Sequence, residues 1–169
     1  METLVNLSTR RSIRKYEEKP VSDDTLEKIL KAAMDAPSAF DEQPWHFLVI
    51  REQERLKQIP QHHNHSDLVA DAAAAILVCT DTTLHKMPEF WIQDCSAASQ
   101  NILTAAHDLN LGAVWIGVYP TEANVNSLRV HLELPDNIIP FALIALGYPD
   151  EPYPEKENYK SERVHHEEW

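Results

Sequence analysis

Residues 90–119 of this 169-residue chain read FWIQDCSAASQNILTAAHDLNLGAVWIGVY, and this stretch carries most of the fold decision. From Phe90 to Leu109, small and large apolar residues alternate with few charges, a pattern that predicts a long helix buried on more than one face. Asn110 and Gly112 are the residue types expected to stop it, since both tolerate the left-handed backbone of a C-terminal cap. Ala113 to Tyr119 then reads as a strand.

The neighbouring segments extend this alternation of helices and strands. Ser22 to Ala36 predicts a helix: Ser22 can N-cap, Asp23 and Asp24 suit the first turn, and Leu26, Ile29, Leu30 and Ala33 follow the helical stripe up to Pro37. His46 to Ile50 reads as a short strand, Glu52 to Ile59 as a short polar helix closed by Pro60, and Gln61 to Ser66 as a loop. Ala73 to Thr80 reads as a buried strand, and Ile139 to Leu146 as the last one. Between them, Thr121 can N-cap an amphipathic helix carrying Val125, Leu128, Val130 and Leu132. Past Gly147, the prolines 149, 152 and 154 predict an extended tail over about 150–169. Strands scattered among helices imply α/β or α+β layering, and the length suits one domain over 1–169.

Composition removes several functional classes. The chain has only 3 Gly, at positions 112, 117 and 147, so it holds neither a GxGxxG fingerprint nor a GxxxxGK[ST] phosphate loop. A net charge of −12 argues against nucleic acid as a partner. No secretory signal is visible at the start, and the longest apolar runs, Ala72 to Cys79 and Ile138 to Tyr148, fall short of the ~20 residues that cross a bilayer. Cys79 and Cys95 make no disulfide framework, so a reducing cytoplasm is the expected compartment.

Against this acidic background, Arg10, Arg11, Arg14, Lys15 and Lys19 crowd the first twenty positions. In an extended segment, residues 10, 12 and 14 point to one side, which groups two guanidiniums with the Ser12 hydroxyl. Guanidinium forks match phosphate oxygens, so this cluster can replace the missing glycine loop. The competing reading is a solvated basic face paired with Glu17 and Glu18. A second cluster runs from Ala36 to Trp45. Its planar Phe40 and Trp45 and its polar Ser38, Asp41 and Gln43 suit a flat heteroaromatic ligand, or else form a structured loop whose aromatics cap the core.

Four blocks in order, ArgArgSerIleArgLysTyr from Arg10, AlaProSerAla from Ala36 followed by GlnProTrp from Gln43, AspCysSerAlaAlaSerGlnAsnIleLeu from Asp94 and LeuGlyAlaValTrpIleGly from Leu111, resemble the nitroreductase family of FMN-dependent oxidoreductases. The tail ArgValHisHisGluGluTrp from Arg163 joins the resemblance, which spans nearly the whole chain. It implies an α+β fold with a central mixed sheet flanked by helices, in an intertwined homodimer with FMN at the subunit interface. By position, Arg10, Arg11, Ser12 and Arg14 would hold the FMN phosphate, and Arg163 would approach it. Pro37, Ser38, Ala39, Phe40 and Gln43 would come from the other subunit to line the ring and ribityl chain. Trp115, Ile116, Gly117 and Val118 would bring backbone close to the ring.

The resemblance implies hydride transfer from NAD(P)H through FMN to a nitroaromatic or quinone-type acceptor, with the cofactor rather than a side chain carrying the electrons. A non-enzymatic flavin-binding protein, oxygen-dependent flavin chemistry and reductive dehalogenation are the alternatives. Two departures stand out: Asp41 replaces a frequent Asn, putting a carboxylate where it would lower the flavin potential, and the chain is short for the family. His62, His63 and His65 are read as a surface cluster rather than a metal site, because neighbouring loop positions seldom converge on one ion. His165 and His166 could contact the phosphate or the partner subunit.

Overall fold

The computed structural model describes residues 1–169. Strands β1 (Trp45–Ile50), β2 (Ala74–Asp81), β3 (Gly112–Gly117) and β4 (Ile138–Gly147) form one sheet in the order β1-β2-β4-β3. The strand pairs are antiparallel. The parallel pairing that makes the arrangement mixed is the bridge from Ser12 to Ala113, on the outer edge of β3. Helices α1 (Thr3–Thr9), α2 (Asp23–Met34), α3 (Gln53–Gln58), α4 (Trp91–Asp108) and α5 (Glu122–His131) complete the α+β layering.

An antiparallel strand commonly alternates between a core face and a wet face. Here β2 buries seven of its eight residues, because both sheet faces are covered. Ile76, Val78, Ile144 and Leu146 pack with α2 and α4 on one side, and Leu77, Leu143, Val114 and Ile116 pack with Leu56 of α3 and Leu128 of α5 on the other. This two-sided burial explains the unbroken apolar run read as a buried strand.

The predicted elements appear within a residue or two of their expected bounds. Ser22 caps α2 by accepting the Thr25 N–H at 3.2 Å, and Leu26, Ile29 and Ala33 are buried along the expected stripe. On α4, the small residues Cys95, Ala98 and Ala106 are fully buried, which lets the helix lie close to the sheet and to α2. Asn101 Nδ2 donates to Ala32 O at 2.8 Å across that contact.

Three expectations are corrected. The turn after α4 is made by Asn110, at φ 61°, while Gly112 does not adopt a positive φ and instead opens β3. Its value lies in packing: a Cβ there would sit 2.5 Å from Ile13 Cγ2. Thr121 occupies the N-cap position of α5 without a side-chain cap bond. Trp45 belongs to the core, which leaves Phe40 as the exposed aromatic of its loop. No sequence pattern announced α1, a seven-residue helix in which only Asn6 is buried.

The register of β4 against β2 slips beside Val78 and Cys79, leaving Phe141 without a ladder partner. Its carbonyl accepts two donors, Val118 N–H at 3.1 Å and Tyr119 N–H at 2.9 Å. Such bulges end strands and re-aim side chains, and this one closes β3 at Gly117.

Candidate functional site

Two parts of the chain present accessible groups at the ends of the sheet. The first follows the outer edge of β3. Ile13 N–H donates to Ala113 O at 3.0 Å. Backbone groups alternate along a strand, so Ala113, Trp115 and Gly117 turn theirs outward while Val114 and Ile116 pair with β4. Gly117 O meets His63 Nε2 at 2.9 Å, and its N–H faces the same open edge. A Cβ on Gly117 would find nothing within 4 Å, so a flat ligand can approach the backbone there. Gly117 lies four residue steps beyond Ala113, a span of about 13 Å.

At the Ala113 end lies the basic segment. Ile13 and Tyr16 are buried, and Tyr16 Oη donates to Ile13 O at 2.7 Å and to Ala145 O at 3.3 Å. These anchors hold the segment extended, which leaves Arg10, Ser12 and Arg14 on its accessible side. No carboxylate pairs with these guanidiniums, Glu17 and Glu18 included. Burial and the neighbouring Arg11 charge lower the Arg10 guanidinium below its ordinary value. Burial and the same two arginines also lower His107. Crowded guanidiniums that make no ion pair suit an anionic ligand.

Arg11 behaves differently from its neighbours. Its guanidinium donates to Pro154 O at 2.7 Å, Lys156 O at 3.2 Å and Ser8 O at 2.8 Å, tying the tail to the basic segment. Glu151 adds to that tie by accepting the backbone N–H groups of Arg14 and Lys15. Arg163 lies on the exposed tail, in a short 3-10 turn over Ser161–Arg163.

The second part is the loop from Pro37 to Gln43. Phe40 and Asp41 at φ 51° and Gln43 at φ 44° occupy the left-handed region without being glycine. Such strain persists only where surroundings over-determine it. Ser38 Oγ accepts Gln43 N–H at 3.0 Å, Asp41 accepts Gln43 Nε2 at 2.7 Å, and Lys86 Nζ donates to Phe40 O at 3.0 Å. Phe40 stands 66% exposed as a result. This loop feeds β1, which lies at the sheet edge opposite β3, with β2 and β4 between them. One chain therefore does not bring Pro37, Ser38, Ala39, Phe40 and Gln43 onto the edge that carries Gly117.

Sequence reasoning missed the two carboxyls beneath this loop, Glu42 and Asp94, both buried. Asp94 accepts Ala39 N–H at 2.9 Å, and Glu42 accepts Lys86 N–H at 2.7 Å and Met87 N–H at 3.0 Å. A charged residue in the apolar run after Phe90 was the available clue. Burial raises the Asp94 carboxyl, with Glu42's charge adding to it, above the ordinary range. Burial also works to raise Glu42, but the Met87 and Lys86 amides, with the neighbouring Asp94 carboxyl, bring it below that range. The signs are opposite: Asp94's contribution to stability is present at acid pH and fades as pH rises through its raised pKa, while Glu42's is present above the ordinary carboxylate pKa and fades on acidification. Asp94→Asn, which stays neutral, is therefore expected to melt above the wild type at pH 7–8, with the two curves converging toward pH 4. A gap independent of pH would contradict the pairing.

His62 and His63 both reach α5. His62 stacks on His131 with ring centroids 3.9 Å apart and meets Ser127 Oγ at 3.1 Å, while His63 turns inward to Gly117 and Asn124. His63 is buried, which corrects the surface reading for that member of the cluster.

Comparison with known proteins bears on the family and the fold. The sequence profile described as the Nitroreductase family matches residues 7–82 and 53–148. A protein of Methanothermobacter thermautotrophicus, provisionally named an NADH dehydrogenase/NAD(P)H nitroreductase, is 51% identical over 169 residues, covering 100% of this chain and 88% of its own. A similarly named crystal structure from Parabacteroides distasonis superposes with a TM-score of 0.93 at 37% identity, covering 99% of this chain and 98% of the other. A protein of Desulfovibrio desulfuricans, solved in complex with FMN, reaches a TM-score of 0.86 at 33% identity, covering 100% and 98%.

Proposed function

The chain belongs to the nitroreductase family, and from that premise we propose an FMN-dependent NAD(P)H oxidoreductase working as a homodimer with flavin sites shared between subunits. The observation that carries this reading is the outer edge of β3, with unpaired guanidiniums at one end and the open backbone of Gly117 at the other. The residues present fit an FMN: an anionic phosphate for the cations, and a planar ring for the space that a Cβ on Gly117 would leave uncontested. Bound there, FMN would supply the hydride and electron chemistry.

The residues divide that work. Arg10, Ser12 and Arg14 hold the phosphate by charge-assisted bonds, with Arg163 of the tail approaching it. Arg11 adds positive charge while fastening the tail. Trp115, Ile116, Gly117 and Val118 present backbone to the ring, and the outward Gly117 N–H is a donor for a ring nitrogen or oxygen. Pro37, Ser38, Ala39, Phe40 and Gln43 reach the ring from a second subunit, which is why their place at the β1 edge suits a shared site. The exposed Leu4, Val5 and Leu7 of α1 and the fully exposed Trp169 offer apolar surface for a partner copy.

The acceptor is a nitroaromatic or quinone that takes the nicotinamide's place, giving ping-pong kinetics. No side chain is required as acid or base. No helix is long and apolar enough to cross a membrane. The two buried cysteines, Cys79 and Cys95, are free thiols, which suits a reducing cytoplasm.

Purified protein is expected to be yellow, to scatter light as a dimer, and to oxidise NADH or NADPH with parallel double-reciprocal plots. Colourless protein that neither binds added FMN nor quenches its fluorescence would defeat the reading. Flavin that stays oxidised with both nucleotides would favour a non-enzymatic binding protein.

A further inference from the structure

We infer that His63 is a positioning residue for the flavin-facing backbone, an assignment that rests on the proposed FMN site and names a residue outside it. His63 is 5% exposed, and its Nε2 lies 2.9 Å from Gly117 O and 3.1 Å from the Asn124 amide.

Gly117 is the most mobile kind of residue at the point where the ring would lie, with no side chain to hold it. On one side, the peptide that follows it is fixed to β4 through Val118 N–H to Phe141 O at 3.1 Å. On the other side, the carbonyl of that same peptide unit meets His63. Held from both sides, this unit fixes the backbone at the end of β3, one rotation about ψ of Gly117 away from the peptide that carries the outward N–H.

The chemistry also selects a tautomer. A carbonyl oxygen can only accept, so Nε2 must carry the proton. Asn124 Nδ2 lies 3.1 Å from Nε2, and with the proton on Nε2 the Asn124 amide is reassigned by a flip so that Oδ1 faces it. Nδ1 is left buried without a partner.

The histidine is itself braced. Ser66 Oγ donates to His63 O at 2.8 Å, and the adjacent His62 stacks on His131 of α5. The loop from Gln61 to Ser66 is thus a bracket that carries the imidazole to the end of β3. The apolar neighbours of β3 supply no other side-chain donor to Gly117 O.

The test compares wild type, His63→Leu and His63→Gln, each saturated with FMN. Gln can place an amide N–H near the position of Nε2; Leu cannot. In His63→Leu the visible flavin bands and midpoint potential are expected to shift, and flavin reduction by NAD(P)H to slow at least tenfold. FMN affinity should change less than threefold, since the phosphate contacts are elsewhere, and His63→Gln should recover the reduction rate to within threefold of wild type. Unchanged bands, potential and rate in His63→Leu would overturn the inference. Should His63→Leu not fold, ring 15N shifts of flavin-free wild type decide it: a proton on Nε2 supports the role, and a proton on Nδ1 alone excludes it. A wild type that binds no FMN fails the functional reading itself, an outcome distinct from a wild type that binds FMN while His63→Leu behaves identically.

Discussion

Alanine at both Arg10 and Arg14 is expected to strip the protein of FMN, raising its dissociation constant by about 10²–10⁴-fold. Each charge-assisted bond from a guanidinium to a phosphate contributes about 1.5–3 kcal/mol, and two such bonds sum to that range. Fluorescence titration of FMN into the flavin-free variant measures it directly. The fold should survive, because neither guanidinium pairs with a carboxylate and the segment is held instead by the buried Ile13 and Tyr16. Tight FMN binding by the double variant would refute the phosphate assignment. Arg11→Ala should behave differently: its bonds run to Pro154 and Lys156, so loosening of the tail, read as faster proteolysis after Gly147, should accompany any loss of affinity.

Trp91→Ala is expected to lower stability by about 3–5 kcal/mol, the usual range for removing a buried Trp. In a chain of this length that corresponds to a melting temperature lower by about 10 °C. Trp91 opens α4 and meets Phe141 and Tyr119 edge-on, with ring centroids 5.8 Å and 4.8 Å apart. It therefore ties the start of α4 to the bulge that ends β3. Three residues on, Asp94 holds Ala39 N–H, so the same cavity should loosen the strained loop at Phe40. Thermal melts measure the first effect. Proteolysis within residues 37–43 measures the second, and a variant that melts like wild type would show that this aromatic cluster contributes little.

Much of the molecule was legible without coordinates. Local chemistry placed α2 through Ser22 and its acidic first turn, α4 through its apolar run, and β2 through a run of residues fit for burial on both faces. Charge and spacing alone marked the segment from Arg10 to Arg14 as a candidate anion site beside the competing reading of a solvated basic face. Gly112 was misread because a glycine after a helix has two possible uses, and only the nearness of Ile13, almost a hundred residues earlier, reveals the second. Trp45 and Phe40 looked alike as loop aromatics; strand register sent one into the core and left the other out.

The amino-acid sequence by itself determined the kind of elements, their order and the cationic segment, because helical periodicity, capping and charge are properties of neighbouring residues. Only the tertiary structure decided that Arg11 faces the tail while Arg10 and Arg14 do not, that Glu42 and Asp94 share a buried pocket, and that His63 reaches Gly117. Those outcomes depend on which distant backbones lie side by side, and that is set by sheet register and two-sided burial rather than by any local pattern.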